Sequence, residues 1–314
     1  MVSIALFALL ALTALGDTWT GKIDETYTLS QLEMRPESVV YDDGYLYMSH
    51  ITGQTIWKVD VDDLDKDKAT TDIKESEPHD LGTSIWPIGC CEGDSDRIYC
   101  TIGNLTGTAR NNGIGYWDMS SLKFKKSIVV PSTGLAADCT FKDNRVYFTA
   151  AFSGEVYVCD EDLVACTLIT DSTLVKPTTF IGAMGVVHIS EDDEEFLIVV
   201  NPDRGELVKV PVKDGALNGT VANVAITDSA NIINGSDGLV KIADDVLISV
   251  TAENVILYET EDNWVSATIK KSVYVKTVEG ADQWGGANAA VRSDDKDEIK
   301  LYVTFPGFTS FFAG

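Results

Sequence analysis

The chain has 314 residues, of which 45% are hydrophobic and 23% are charged, a balance typical of a folded protein with a full apolar core. It carries 49 acidic and 24 basic residues, which gives a formal net charge of −25. The composition excludes a disordered chain. The excess negative charge would repel a phosphate backbone, so we expect no nucleic-acid partner.

The N-terminal segment has the pattern of a secretory signal. It is apolar from Ile4 to Leu12 and ends in small residues before the polar Asp17. We therefore predict a signal peptide at residues 1–16 and a single exported domain at residues 17–314. A buried N-terminal strand or helix is the alternative, because no Lys or Arg precedes the apolar run. No later segment has 18 consecutive apolar residues, so we expect a secreted monomer without stable membrane insertion.

The cysteine content agrees with export. The six cysteines are Cys90, Cys91, Cys100, Cys139, Cys159 and Cys166, and the N-glycosylation sequons are at Asn104, Asn218 and Asn234. Cys159 and Cys166 flank a turn-like segment and should face each other across a hairpin, as should Cys91 and Cys100. Alternatively, Cys139 pairs with one of the two adjacent cysteines of a neighbouring unit. The sequence therefore predicts disulfides and leaves their connectivity open.

A repeated strand pattern indicates the fold. A short apolar strand, a turn of Asp, Asn or Gly, a second strand of alternating apolar residues, and a third strand after a Gly recur six times. The second strands are YLYMSH (45–50), RIYCTI (97–102), RVYFTA (145–150), EFLIVV (195–200), DVLISV (245–250) and KLYVTF (300–305). A repeat of about 50 residues suits one four-stranded propeller blade. We therefore predict an all-β fold, a six-bladed β-propeller with four-stranded blades.

The two chain ends should close the ring. After the sixth second strand only a short tail remains, too little for an outer strand. The segment from Thr18 to Leu29 precedes the first repeat and has a strand-like pattern. We predict that this N-terminal strand joins the last blade, which would remove an exposed sheet edge.

The starts of the innermost strands should line one central pocket, because these strands converge on the propeller axis. Alignment of the repeats places six residues at these starts: Glu37, Gly89, Ala137, Met184, Asp237 and Asn288. Two of the six are acids far apart in the chain. We expect them to meet in a pocket flanked by Trp86 and Trp284.

Four long segments carry a resemblance to a known family. They are RPESVVYDDGYLYMSHITGQTIWKVDV, ADCTFKDNRVYFTAAFSGEVYVCD, GAMGVVHISEDDEEFLIVVNPDRGELVKVPV and GSDGLVKIADDVLISV. Their order and spacing resemble the senescence marker protein/gluconolactonase family, a relative of diisopropylfluorophosphatase. The resemblance covers essentially the mature chain. It implies a six-bladed propeller with a catalytic calcium ion in the channel, for which Glu37 and Asp237 match two of the ligands.

Two other positions depart from that family's pattern. Met184 and Ala137 stand where the resemblance would place asparagines, and a thioether and a methyl group offer no hard oxygen donor. The two acids, helped by Asn288, Asp138 or water, would then hold a calcium ion only weakly. Calcium is the one cofactor that we consider, since the sequence has no phosphate-binding or dinucleotide-binding glycine motif.

Without a metal, burial and mutual repulsion should leave one of the two acids protonated and the other ionised. We therefore predict that Glu37 and Asp237 form a catalytic acid/base pair, with His50 as a further candidate base at the pocket mouth. The residues expected to bind the substrate are Trp86, Ala137, Asp138, Met184, Trp284 and Asn288. Of the other histidines, we expect His188 on the fourth inner strand to be structural.

Three functions are consistent with these residues. The first is an enzyme that cyclises, isomerises or opens the ring of a small, rather apolar molecule, as in a secondary-metabolite pathway. The second is a calcium-dependent lactonase or ester hydrolase, as the resemblance implies. The third is a non-catalytic secreted protein that binds a small molecule or another protein, because the propeller fold alone decides no function.

Overall fold

The computed structural model describes most of the chain. The residues described are 5–13, 23–29, 36–50, 53–64, 73–77, 85–103, 112–131, 134–191, 194–227, 236–251, 254–274, 288–295 and 298–305. Within these ranges the regular structure is β-strand apart from one 3-10 turn, Val61–Asp63. The same ranges contain no helix long and apolar enough to cross a membrane.

The strands follow one another at short intervals. The first twelve are β1 (Ala5–Thr13), β2 (Ile23–Leu29), β3 (Pro36–Asp42), β4 (Tyr45–His50), β5 (Thr55–Asp60), β6 (Ile73–Glu75), β7 (Trp86–Glu92), β8 (Arg97–Gly103), β9 (Gly113–Asp118), β10 (Lys123–Val129), β11 (Ala136–Lys142) and β12 (Arg145–Ala150). The next seven are β13 (Glu155–Asp160), β14 (Cys166–Thr170), β15 (Val186–Glu191), β16 (Glu194–Asn201), β17 (Glu206–Lys213), β18 (Ala216–Leu217) and β19 (Ala222–Asn223). The last seven are β20 (Ala225–Thr227), β21 (Ser236–Ala243), β22 (Val246–Thr251), β23 (Asn254–Glu259), β24 (Ser266–Tyr274), β25 (Asn288–Asp295) and β26 (Glu298–Phe305).

Five blades are built from consecutive strands. Blade one is β3–β6, blade two β7–β10, blade three β11–β14, blade four β15–β19 and blade five β20–β24. Each is an antiparallel sheet whose first long strand is innermost, and β20 adds a parallel outer strand to blade five. The prediction of an all-β propeller with four-stranded blades is confirmed.

The chain ends share a further sheet, in the order β2-β1-β26-β25, which we call the terminal sheet. Five of the six predicted blades are therefore present as sheets of consecutive strands, whereas the last repeat supplies only two strands to the terminal sheet. As predicted, β2 lies in the sheet of the last repeat. However, β1, from the predicted signal peptide, lies between β2 and β26, with Leu9 opposite Tyr302. Cleavage of residues 1–16 stays a prediction.

The apolar core fills the spaces between neighbouring blades. Successive side chains of a strand point to opposite faces, so each blade contributes to two such layers. Trp57 packs with Tyr302 between blade one and the terminal sheet, and Trp117 packs with Tyr47 between blades one and two. Both tryptophans are buried, as expected for inter-blade packing rather than ligand contact.

The same irregularity recurs near the start of four inner strands. In β3, β7, β11 and β21 two residues stand opposite one residue of the next strand, which is a β-bulge. The pairs are Glu37 and Ser38, Ile88 and Gly89, Ala137 and Asp138, and Asp237 and Gly238. A bulge bends its strand and redirects its side chains, and here all four bulges lie at the same end of the propeller.

A hydroxyl group fastens three of these bulges to the next blade. The residues opposite the bulges in β4, β8 and β12 are Ser49, Thr101 and Thr149. Thr101 Oγ1 accepts the N–H of Gly89 at 3.0 Å and donates to the carbonyl oxygen of Ala137 at 3.1 Å. Ser49 and Thr149 bond in the same way to their own bulge and to the carbonyls of Ile88 and Met184. Each hydroxyl thus joins two neighbouring inner strands.

Replacing Thr101 with the isosteric valine should destabilise the fold by about 2–4 kcal/mol, because it leaves a buried N–H and a buried carbonyl without their partner. Urea denaturation followed by tryptophan fluorescence measures the change. The matched control is Thr167→Val, in an exposed position of the outer strand β14, which should change the free energy of unfolding by less than about 0.5 kcal/mol. Equal effects of the two substitutions would contradict this role of Thr101.

Candidate functional site

The bulges bring three carboxyl groups together around the propeller axis. Glu37, Ala137 and Asp237 occupy the first bulge position of their strands, and Asp138 occupies a second position. The predicted meeting of the two acids agrees with the electrostatics, because Asp237 interacts with both Glu37 and Asp138. We call Glu37, Asp138 and Asp237 the carboxyl layer.

The alignment of the repeats by sequence was wrong by one residue in blade two. Ile88 occupies the first bulge position there, and Gly89 occupies the second. A Cβ atom on Gly89 would lie 2.2 Å from the carbonyl oxygen of Ala137, which is backbone and cannot rotate away. Gly89 therefore allows two inner strands to approach each other closely, and its role is not to form the floor of the pocket.

Glu37 is the most deeply enclosed member of the carboxyl layer. Only 9% of its surface is exposed, and its Oε2 atom is buried without a hydrogen-bond partner among the described residues. Burial, followed by the negative charge of Asp138, raises the pKa of Glu37 to about 7. This carboxyl group therefore gains and loses its proton close to neutral pH.

Asp237 keeps part of its surface open, whereas its neighbours Ser236 and Gly238 are buried. Burial of its carboxyl group raises the pKa of Asp237 well above the usual range, and the charges of Glu37 and Asp138 raise it further. Repulsion between enclosed carboxylates favours the protonated form, as in other carboxyl pairs. Asp237 is thus an acid whose enclosed carboxyl group favours the protonated form.

Asp138 has a different environment, because the backbone occupies both of its oxygens. Oδ1 accepts the N–H of Cys139 at 2.9 Å, and Oδ2 accepts the N–H of Val186 in blade four at 3.1 Å. Ser38 has the equivalent role in blade one, where its hydroxyl accepts the N–H of Cys90 at 2.9 Å. Bonds from N–H groups favour a carboxylate, so Asp138 is the fixed negative charge of the layer.

The remaining predicted residues are distributed as follows. Trp86 begins β7 and is half-buried, and Met184 is partly buried, with its N–H bonded to the carbonyl oxygen of Val200 at 2.9 Å. Asn288 begins β25 opposite Thr304, and its side chain lies outside the described part. Trp284 also lies outside the described residues.

His50 belongs to a cluster within blade one. Its Nδ1 atom is 3.3 Å from Thr55 Oγ1 and 3.7 Å from Glu75 Oε1, and its ring is 4.1 Å from that of Trp57. The hydroxyl of Thr55 in turn donates to Glu75 at 2.8 Å. These contacts place His50 against the two outer strands, β5 and β6, of its own blade, and its catalytic role stays a prediction.

A cavity of about 300 Å³ lies among the inner strands of the five blades. Its volume is at the lower limit of small-molecule sites. The wall combines apolar side chains, such as Val39, Val187 and Leu239, with polar and charged ones, and Asp138 is the member of the carboxyl layer that contacts it. Glu37 and Asp237 are not part of the wall. The cavity therefore meets the carboxyl layer at Asp138.

Asp138 is the one wall residue that was predicted as part of the site, and the wall residues that were not predicted include Cys91, Glu92 and Cys139. His188, expected to be structural, also lines the cavity. Its ring is buried, and burial, followed by the charges of Lys241 and Lys142, lowers the pKa of His188 to about 4, so the ring is neutral at physiological pH. The signal that could have found these residues is their place a few positions after the start of an inner strand.

An aromatic pair lies on the propeller face where the inner strands begin. The rings of Phe152 and Phe180 are 4.8 Å apart, and Phe180 is 65% exposed. One carboxylate oxygen of Asp203 accepts the N–H groups of Thr178, Thr179 and Phe180 at 2.7–3.0 Å. The loop that carries Phe180 is thus held in place while its aromatic ring faces outwards.

The disulfides correct one predicted pairing. Cys159–Cys166 is present as predicted, whereas Cys100 is bonded to Cys90 rather than to Cys91. The reason is the strand register, which places Cys90 opposite Cys100. Cys91 and Cys139 take part in neither of these two bonds.

Comparison with known proteins gives structural neighbours only. No protein-family model matches the sequence, and no curated protein matches it. The fold is similar to the major allergen Mala s 1 of Malassezia sympodialis, with a TM-score of 0.70, 15% identity, and 87% of each chain covered. It is also similar to a chain of a nidogen/laminin complex, with a TM-score of 0.58, 11% identity, and coverage of 87% of this chain and 93% of that one. A third similar structure is a chain of Kuenenia stuttgartiensis hydrazine synthase, with a TM-score of 0.55, 14% identity, and coverage of 88% of this chain and 82% of that one. These identities establish the propeller fold alone.

The resemblance to the senescence marker protein/gluconolactonase family was therefore wrong. The calcium site that it implied does not fit the residues present. Ala137 and Met184 supply no oxygen side chains, and both oxygens of Asp138 are occupied by backbone N–H groups. Within the described ranges, no group of three or more His, Cys, Asp or Glu residues is arranged to hold a metal ion. We derive no chemical step through calcium.

Glu37→Gln should make the stability of the protein less dependent on pH. Because the pKa of Glu37 is raised from 4.5 to about 7, the native state binds more protons than the unfolded state between these values, and stability falls as pH rises through this window. The loss should reach about 3 kcal/mol above pH 7 and be absent in the variant. Urea denaturation at pH 4.5 and pH 8 measures it. Glu259→Gln, in an exposed ion pair with Lys270, is the control. An unchanged pH dependence in Glu37→Gln would contradict the assignment.

Proposed function

We propose that this protein is an enzyme that isomerises or cyclises a small, rather apolar molecule at the carboxyl layer. The observation that carries the proposal is that the carboxyl groups of Glu37 and Asp237 are both buried and interact electrostatically, while one Glu37 oxygen has no hydrogen-bond partner among the described residues. Burying a carboxyl group without a partner is costly for stability. Such an arrangement is common at sites that use a perturbed acid in chemistry.

In this proposal Asp237 is the catalytic residue. Its protonated carboxyl group donates a proton to one atom of the substrate, and the resulting carboxylate removes a proton from a neighbouring atom. The enzyme ends in its starting state, and the product has the same mass as the substrate. A single carboxyl group thus acts first as general acid and then as general base.

Glu37 is a positioning residue in this scheme, because its charge makes Asp237 hold its proton more tightly. Asp138 contributes a negative charge fixed by two backbone N–H groups. The cavity beside Asp138 would take the body of the substrate. The cavity volume favours a compact substrate.

Two further features support related proposals. The inner strand of the terminal sheet, β25, contacts those of blades one and five, so we propose that this sheet completes the ring as a sixth blade. The two disulfides favour an oxidising compartment, and Asn218, at one of the sequons, is exposed. We therefore propose that the protein is secreted and glycosylated.

The test begins with a search for the substrate. The protein is incubated with an organic extract of the medium in which its source organism grows, and liquid chromatography with mass spectrometry follows the compounds over time. We expect one compound to be replaced by another of identical mass. A compound that is retained by the protein but never converted would support a non-catalytic binder instead, and an unchanged extract would contradict both.

The variants then assign the roles. Asp237→Asn should lower the rate at least about 100-fold, because it removes the proton that is transferred. Glu37→Gln should retain activity but shift the fall in rate at high pH to lower pH, since the loss of its negative charge lowers the pKa of Asp237. Glu259→Gln should behave as the unmodified protein. Full activity of Asp237→Asn would overturn the proposed mechanism.

A further inference from the structure

The two cysteines outside the disulfides face each other across the interface between blades two and three. Cys91 lies in β7 and Cys139 in β11, which are neighbouring inner strands in contact. The Cys139 sulfur is 3.6 Å from the carbonyl oxygen of Gly89 and 3.5 Å from that of Tyr99. Tyr99 is the residue directly opposite Cys91 in the β7–β8 register. The sulfur of Cys139 therefore lies beside the backbone of Cys91.

The alternation of side chains along β7 directs the two adjacent cysteines to different interfaces. Cys90 and Cys100 belong to the core layer between blades one and two. Cys139 belongs to the layer between blades two and three, and Cys91 packs against that layer. A bond between Cys90 and Cys139 would have to cross the sheet of blade two. The strand geometry thus leaves Cys91 as the partner within reach of Cys139.

We infer that Cys91 and Cys139 form a third disulfide, which links the inner strands of blades two and three beside the central cavity. The thiol of Cys139 is within hydrogen-bonding reach of Cys91. Both residues line the cavity wall. The inference is independent of the proposed catalytic function, because it concerns the integrity of the ring rather than the carboxyl layer.

The bond forms by exchange with the disulfide of a thiol oxidoreductase or of oxidised glutathione. The Cys91 thiolate, which is the more accessible of the two, attacks that disulfide and releases one thiol of the oxidant. The Cys139 thiolate then attacks the Cys91 sulfur and releases the second. Two protons leave the protein, and its two electrons reduce the oxidant to two thiols. Burial raises the pKa of Cys139 well above its usual value, so the exchange should occur before the blades have closed.

Peptide mapping of the full-length chain, secreted from a eukaryotic host, tests the inference. The protein is denatured, its free thiols are blocked with N-ethylmaleimide, and it is digested without reduction for mass spectrometry. We expect no blocked cysteine and a cross-linked pair of peptides containing Cys91 and Cys139. Blocked thiols at both positions would overturn the inference, as would a bond from Cys139 to Cys90.

Thermal melts provide a second measurement. The double variant Cys91→Ser/Cys139→Ser should melt about 5–10 °C below the unmodified protein, and each single variant should lose a similar amount, because either one removes the same bond. The matched control is Ser120→Ala, at an exposed turn in blade two, which should leave the melting temperature unchanged. If a variant fails to fold, the peptide map of the unmodified chain still decides the outcome.

Discussion

The architecture depends on a hydroxyl group near the end of the second strand in each of the first three blades. Ser49, Thr101 and Thr149 bond both to the bulge of their own inner strand and to a carbonyl of the next one. The core between neighbouring blades consists mainly of apolar side chains, whose contacts have no preferred direction. A directional bond at the same point in successive blades fixes how far each inner strand approaches the axis. The carboxyl layer is positioned by the same bulges.

The carboxyl layer has an electrostatic cost that its surroundings only partly offset. Asp138 is satisfied by two N–H groups, whereas Glu37 has a buried oxygen without a partner among the described residues. In a chain with a net charge of −25, nearby positive charge is scarce, so protonation is the available way to neutralise a buried acid. This explains why the pKa values of Glu37 and Asp237 are both raised.

Strand alternation and repeat length were sufficient to predict the propeller, because the blades follow from periodicity. The catalytic pairing of Glu37 and Asp237 stays a prediction. The bulges were not predicted, since an extra residue leaves no compositional mark, and this misplaced Gly89 and paired Cys91 rather than Cys90 with Cys100. The likeness to a gluconolactonase came from features that many propeller blades share: turn residues, alternating strands and similar spacing. The residues of the cavity wall were not predicted. They share a level along the propeller axis, and this level cannot be read from the strand pattern of one sequence.

The terminal sheet has a kinetic consequence for the making of the protein. Strand β3 is an early segment of the chain and β25 a late one, yet these two inner strands pack against each other where the terminal sheet meets blade one. Blades one to five can assemble as each is completed, but the circle has to wait for the final strand. Such a long-range contact is intrinsically slow to form. Until it forms, the facing surfaces of blade one and of blade five remain open to chaperones and to other nascent chains.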